Sequence, residues 1–144
     1  MLVLDTDLLS IVQLQLGDVY RRLDDRLQRV FETETVAITI VSLEEQARGW
    51  LAYLNKMSAR KDETDLITGY DRLHELFKDF ENRTVLDFDE AAFECYRDLK
   101  RRIRIGTMDL RIAAIVMTNE ATLLTRNVRH FAKVTGLKIE DWSR

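Results

Sequence analysis

Four oxygen-bearing side chains stand where an apolar run meets a turn or a helix start: Asp5 after residues 2–4, Glu44 after residues 36–41, Asp109 at the head of an apolar helix, and Asn127 after residues 121–125. Each acid alone has an ordinary explanation, because the helix macrodipole favours a carboxylate in a first turn by roughly 0.3–1 kcal/mol. A capping box of Ser42 and Glu45 accounts for Glu45 and leaves Glu44, about 100° around the helix, without that task. The sharper explanation is a cation, since carboxylates at the edge of a buried face are tolerated where a positive charge offsets their desolvation. One placement repeated in three separate segments favours a site over three unrelated caps.

The elements that would hold these groups follow from hydrophobic pattern. Short apolar or β-branched runs at 2–4, 36–41, 84–86, 121–125 and 137–139 predict strands. Between them, apolar residues at helical spacing predict helices: one capped by Thr6 or Asp7, one over 18–32, one opened by Ser42, one over 64–80, and one capped by Asp89. Residues 50–80 read as an antiparallel helical hairpin. In the last helix Thr107 is placed as the cap, and Asp109 shares a face with Ile112, Ala113 and Val116. Strands alternating with helices predict a helix-rich three-layer α/β/α sandwich with a mainly parallel sheet. Ligand sites in such sheets lie beyond the carboxyl ends of the strands, where Asp5 is expected.

The 144 residues fit one domain, 1–144, with enough chain for a full core. A single cysteine, Cys95, rules out an internal disulfide and a multi-cysteine zinc site. No apolar stretch is long enough to span a bilayer, and the opening segment is too short for a signal peptide, so a cytoplasmic location is expected. The net charge of −3 argues against a surface coated in positive charge. Residues 97–104 nonetheless carry five bases against one acid, more than the helix dipole asks of a C-terminus. Such a run directly before the acidic helix start suggests a phosphate backbone steered toward Asp109.

In order and spacing, Leu4-Asp5-Thr6-Asp7, Val41-Ser42-Leu43-Glu44-Glu45, the segment 105–114, Leu124-Thr125-Arg126-Asn127-Val128-Arg129-His130-Phe131 and the ending 136–142 together resemble the PIN-domain ribonucleases, specifically the VapC-type toxins of toxin–antitoxin pairs. The resemblance spans the whole chain. It implies an endoribonuclease dependent on one or two Mg²⁺ or Mn²⁺ ions, cleaving single-stranded or loop RNA to leave a 5′-phosphate and a 3′-hydroxyl. It implies Asp5, Glu44 and Asp109 as metal-site acids, with Asn127 completing the catalytic set. Lys100, Arg101, Arg102, Arg104, Arg126 and Arg129 would hold RNA, and Thr6, Asp7 and His130 are further candidates around the site. A small antitoxin and a second copy of the chain are the implied partners. The chain departs from the family where many members carry a further acid: Asn127 and His130 occupy the candidate positions and bring no negative charge.

Two other readings stand beside this one. A non-catalytic PIN-like module that binds RNA or serves in assembly draws its support from the missing fourth acid. A doubly wound phosphate-binding domain lacks the glycine-rich loop it would need.

Overall fold

The computed structural model describes residues 1–144. Five short strands, β1 (Leu2–Leu4), β2 (Val36–Thr39), β3 (Thr84–Leu86), β4 (Thr122–Leu124) and β5 (Lys138–Glu140), form one sheet in the order β3-β2-β1-β4-β5, with every neighbouring pair parallel. Parallel neighbours need crossovers, and the helices supply them: α1 (Thr6–Leu14), α2 (Gly17–Val30), α3 (Ile40–Ser58), α4 (Asp65–Glu81), α5 (Glu90–Arg102), α6 (Thr107–Thr118) and the single turn α7 (Val128–Phe131).

The alternation of side chains along a strand divides the core in two. Val3, Ala37 and Leu123 pack with Leu99, Ile112, Ile115 and Val116 of α5 and α6, whereas Leu2, Leu4, Ile38 and Leu124 pack with Leu8, Leu9, Leu23, Leu76 and Phe80 of α1, α2 and α4. Helices therefore cover both faces, which is the expected three-layer sandwich. All the strands run the same way, so their carboxyl ends share one edge. β1 lies in the middle with β2 and β4 beside it, and the residues that follow these three strands are neighbours.

Several helix starts differ from expectation by a few residues. Asp5, rather than Thr6 or Asp7, caps α1 by accepting the Leu8 N–H at 2.9 Å. Thr39, rather than Ser42, caps α3, accepting the Ser42 N–H at 3.2 Å; Ile40 and Val41 continue the β-branched pattern of the strand but already lie in the helix. At α6 the capping position is Gly106 with no side-chain bond, and Thr107 is the first helical residue. Asp89 caps α5 as expected, through the Ala92 N–H at 2.9 Å. No helix is long and apolar enough to cross a membrane.

Candidate active site

A cleft of about 300 Å³ opens at the carboxyl ends of β1 and β4, lined by Asp5, Thr6, Asp7 and Ser10 from the start of α1, Glu45 from α3, Asp109 and Ile112 from α6, and Asn127 before α7. Ile112 is its one hydrophobic residue. The lining brings together segments more than a hundred positions apart because β1 pairs with β4 from Leu2 to Leu4.

Asp5 is the most constrained of these groups. It is 5% exposed. One carboxylate oxygen accepts the Leu8 N–H, and the other accepts the hydroxyl of Thr125, itself fully buried. The Thr125 oxygen in turn accepts the Asn127 N–H at 2.9 Å, so one hydroxyl orients both Asp5 and the turn that carries Asn127. Burial raises the Asp5 pKa from its ordinary 3.8 against the pull of these two hydrogen bonds, and the nearby charges of Asp7 and Asp109 push the same way. Burial also raises the pKa of Asp109, opposed by His130, whose Nδ1 lies 3.9 Å from Asp109 Oδ2. Two acids whose ionised forms are disfavoured and which face one polar cleft are suited to a cation.

Glu44 does not join them. Its carboxylate pairs with Arg48 at 2.9 Å and reaches toward Arg111 at 3.7 Å on the outer side of α3. Glu45 lines the cleft instead, its Oε1 accepting the Thr6 hydroxyl at 2.7 Å. The expected Ser42–Glu45 capping box is absent for the same reason: with Thr39 as the cap, Glu45 falls beyond the first turn and is turned toward α1.

The other expected residues divide. Asn127 lines the cleft, and its amide nitrogen stands 3.1 Å from Nδ1 of the exposed His130. Arg126 donates twice to Asp7, at 2.6 and 2.9 Å, so its charge is partly neutralised at the rim. Arg102 pairs with Asp98, while Lys100, Arg101, Arg104 and Arg129 are exposed and have no carboxylate within ion-pair distance. Glu45, Thr125 and Ser10 were not singled out from the sequence; a threonine directly after a buried strand, 120 positions from the acid it binds, gives no local signal.

No three side chains of the His, Cys, Asp and Glu set stand close enough to make a metal cluster by themselves. The donors present still fit a small hard cation. Mg²⁺ keeps several waters and needs only one or two carboxylates, and every polar group of this lining presents oxygen.

No protein-family model matches the chain. Among curated proteins it is 33% identical to Ribonuclease VapC1 of Rickettsia felis, over 53% of this chain and 68% of that one. It is 29% identical to Ribonuclease VapC2 of the same organism, over 42% of this chain and 48% of that one. Among solved structures, VapBC-1 of nontypeable Haemophilus influenzae superposes with a TM-score of 0.71 at 20% identity, covering 99% of this chain and 98% of that one. A toxin–antitoxin complex from Klebsiella pneumoniae gives 0.65 at 15% identity, covering 99% and 98%. At these identities the solved structures speak for the fold.

Proposed function

The chain belongs to the VapC family of PIN-domain ribonucleases, and on that premise we propose that it is a divalent-cation-dependent endoribonuclease, acting on single-stranded or loop RNA as the toxin of a toxin–antitoxin pair. The observation that carries the proposal is the pairing of a buried, doubly hydrogen-bonded Asp5 with Asp109 across a cleft that presents oxygen.

Asp5 and Asp109, with Glu45 and Asn127 beside them in the cleft, would hold Mg²⁺ or Mn²⁺. When bound, such an ion polarises a phosphoryl oxygen and lowers the pKa of a nearby water. The protein's own part is geometric. Thr125 and the Leu8 N–H fix the Asp5 carboxylate in one orientation, and Thr6 fixes Glu45. Attack by water on phosphorus with departure of the 3′-oxygen leaves a 5′-phosphate and a 3′-hydroxyl. Arg126, paired with Asp7 at the rim, and Arg129 of α7 supply cations for the RNA backbone. We further propose a small antitoxin partner, a homodimer and a cytoplasmic location; the likeness to a toxin–antitoxin complex supports the first of these.

The test is incubation of the purified full chain with total RNA, with Mg²⁺ or with chelator, followed by mapping of the new ends. Cleavage that needs the ion and disappears in both Asp5→Asn and Asp109→Asn is the expected result. Cleavage surviving both substitutions would overturn the site. The absence of a further acid at Asn127 and His130 favours a second reading, an RNA-binding module without activity, which predicts binding but no new ends at any ion concentration.

A further inference from the structure

Arg111 sits two residues beyond Asp109 on α6, on the side away from the cleft, and its guanidinium is held without being satisfied. Its carbon lies 5.6 Å from the centre of the Tyr96 ring, a cation–π distance. One Nη donates to the Met108 sulfur at 3.6 Å, a weak acceptor. The nearest carboxylate is Glu44, whose Oε2 makes an ion pair with Arg111 at 3.7 Å, beyond hydrogen-bond reach, while its Oε1 accepts from Arg48 at 2.9 Å. A guanidinium carries five N–H donors, and here most are left for something else although the side chain is only 34% exposed.

Lys100 completes the arrangement. Its Nζ stands 5.7 Å from the same Tyr96 ring, and it has no acidic partner. Two cations from different helices thus share one aromatic ring. Glu44 is the one carboxylate paired with Arg111, and it is shared with Arg48, so the cations here outnumber their anion. The position is informative too. Arg111 follows the cleft residue Asp109 by two positions and pairs with Glu44, the neighbour of the cleft residue Glu45, so it stands on a shoulder beside the parts of α6 and α3 that line the cleft.

We propose that Arg111 and Lys100, mounted on Tyr96, form a seat for a backbone phosphate of the RNA strand flanking the one that is cut. The proposal rests on the ribonuclease reading above and adds to it a direction: the strand leaves the cleft across α6 toward the C-terminal end of α5. A planar guanidinium binds phosphate through paired N–H groups, and its stacking on Tyr96 keeps that fork pre-organised. Glu44 belongs to this shoulder as the counterion shared by Arg48 and Arg111, outside the cleft.

The test measures binding of a fluorescein-labelled single-stranded RNA of mixed sequence to the full chain carrying Asp5→Asn, in Mg²⁺, across a salt series. Adding Arg111→Met or Lys100→Met is expected to weaken binding about tenfold at 0.15 M salt and to make the slope of log affinity against log salt shallower by about 0.7 for each cation removed. Arg111→Lys keeps the charge and is expected to restore the slope while recovering only part of the affinity, which a merely structural role would not do. Lys100 is exposed, so its variant serves even where Arg111→Met disturbs the fold. Unchanged affinity and slope in both Met variants would overturn the seat, as would a change confined to the mass of the free protein, which would make the shoulder a contact between copies. Loss of RNA cleavage by the parent protein under all ions, with the salt slopes still altered, would remove the ribonuclease reading and leave the seat standing.

Discussion

Thr6 donates its hydroxyl to Glu45 at 2.7 Å, joining the first turn of α1 to α3 and turning the glutamate into the cleft, while Glu44 one position earlier faces Arg48. The two glutamates are therefore not interchangeable. Glu45→Gln is expected to lower kcat on RNA by roughly 10–100-fold, the scale for groups that orient a metal's surroundings. Glu44→Gln is expected to lower it less. Initial rates at saturating Mg²⁺ decide the order, and a larger loss at Glu44 would return that residue to the site.

Asp5 and Asp109 give a pH dependence with a definite sign. Burial is the leading cause at both, and it raises each pKa above 3.8. A carboxyl with a raised folded-state pKa binds more protons folded than unfolded, so cation-free stability falls as pH rises from 3.8 through the raised values. Asp109→Asn is accordingly expected to melt higher than the parent at pH 7 in chelator, with the difference shrinking as pH is lowered toward 3.8. Mg²⁺ should raise the melting temperature of the parent more than that of the variant. Calorimetry in chelator and in Mg²⁺ checks both signs.

Asp7 and Arg126 form a bidentate pair at the rim. Removing the acid leaves the guanidinium free for phosphate and takes away a negative charge beside the strand. In an Asp5→Asn background, Asp7→Asn is expected to bind single-stranded RNA more tightly, with a salt slope steeper by about 0.7. Weaker binding, read by fluorescence anisotropy, would mean that Asp7 itself contacts the RNA or its ion.

Gly69 of α4 packs directly against Leu54 and Tyr53 of α3. A Cβ there would lie 2.5 Å from Leu54 Cδ2 and 3.1 Å from Tyr53 Cδ1. Overpacking typically costs 1–3 kcal/mol, and the better helix propensity of alanine returns up to about 1 kcal/mol. Gly69→Ala is therefore expected to lose about 1 kcal/mol in a denaturant titration with no change in the slope. A gain in stability would show that Leu54 can move aside without cost.

The sandwich was legible because β-branched runs and helical periodicity are local properties, and in strands as short as these the pattern needs few residues. Asp5 and Asp109 were legible for the same reason, each sitting at a junction between two periods. Glu45 was not. Ile40 and Val41 carry strand-like side chains inside a helix, which displaced the expected start of α3 by three residues and transferred the cleft position to Glu44. Thr125 was invisible because its partner follows a different strand, and the pairing of Arg126 with Asp7 depends likewise on the contact of β4 with β1. Local pattern carries what one segment dictates; what two strands create together exists only in the fold.

The central place of β1 bears on when the site comes into being. Its register is completed only by β4, and the hydroxyl that aligns Asp5 arrives with Thr125, 120 positions later. Pairings of such separation close slowly, since the intervening loop must lose its entropy first. On a ribosome the N-terminal half of the chain can gather helices but cannot align its first acid. The cleft is consequently a late product of folding, absent from the nascent chain until Thr125 has been synthesised.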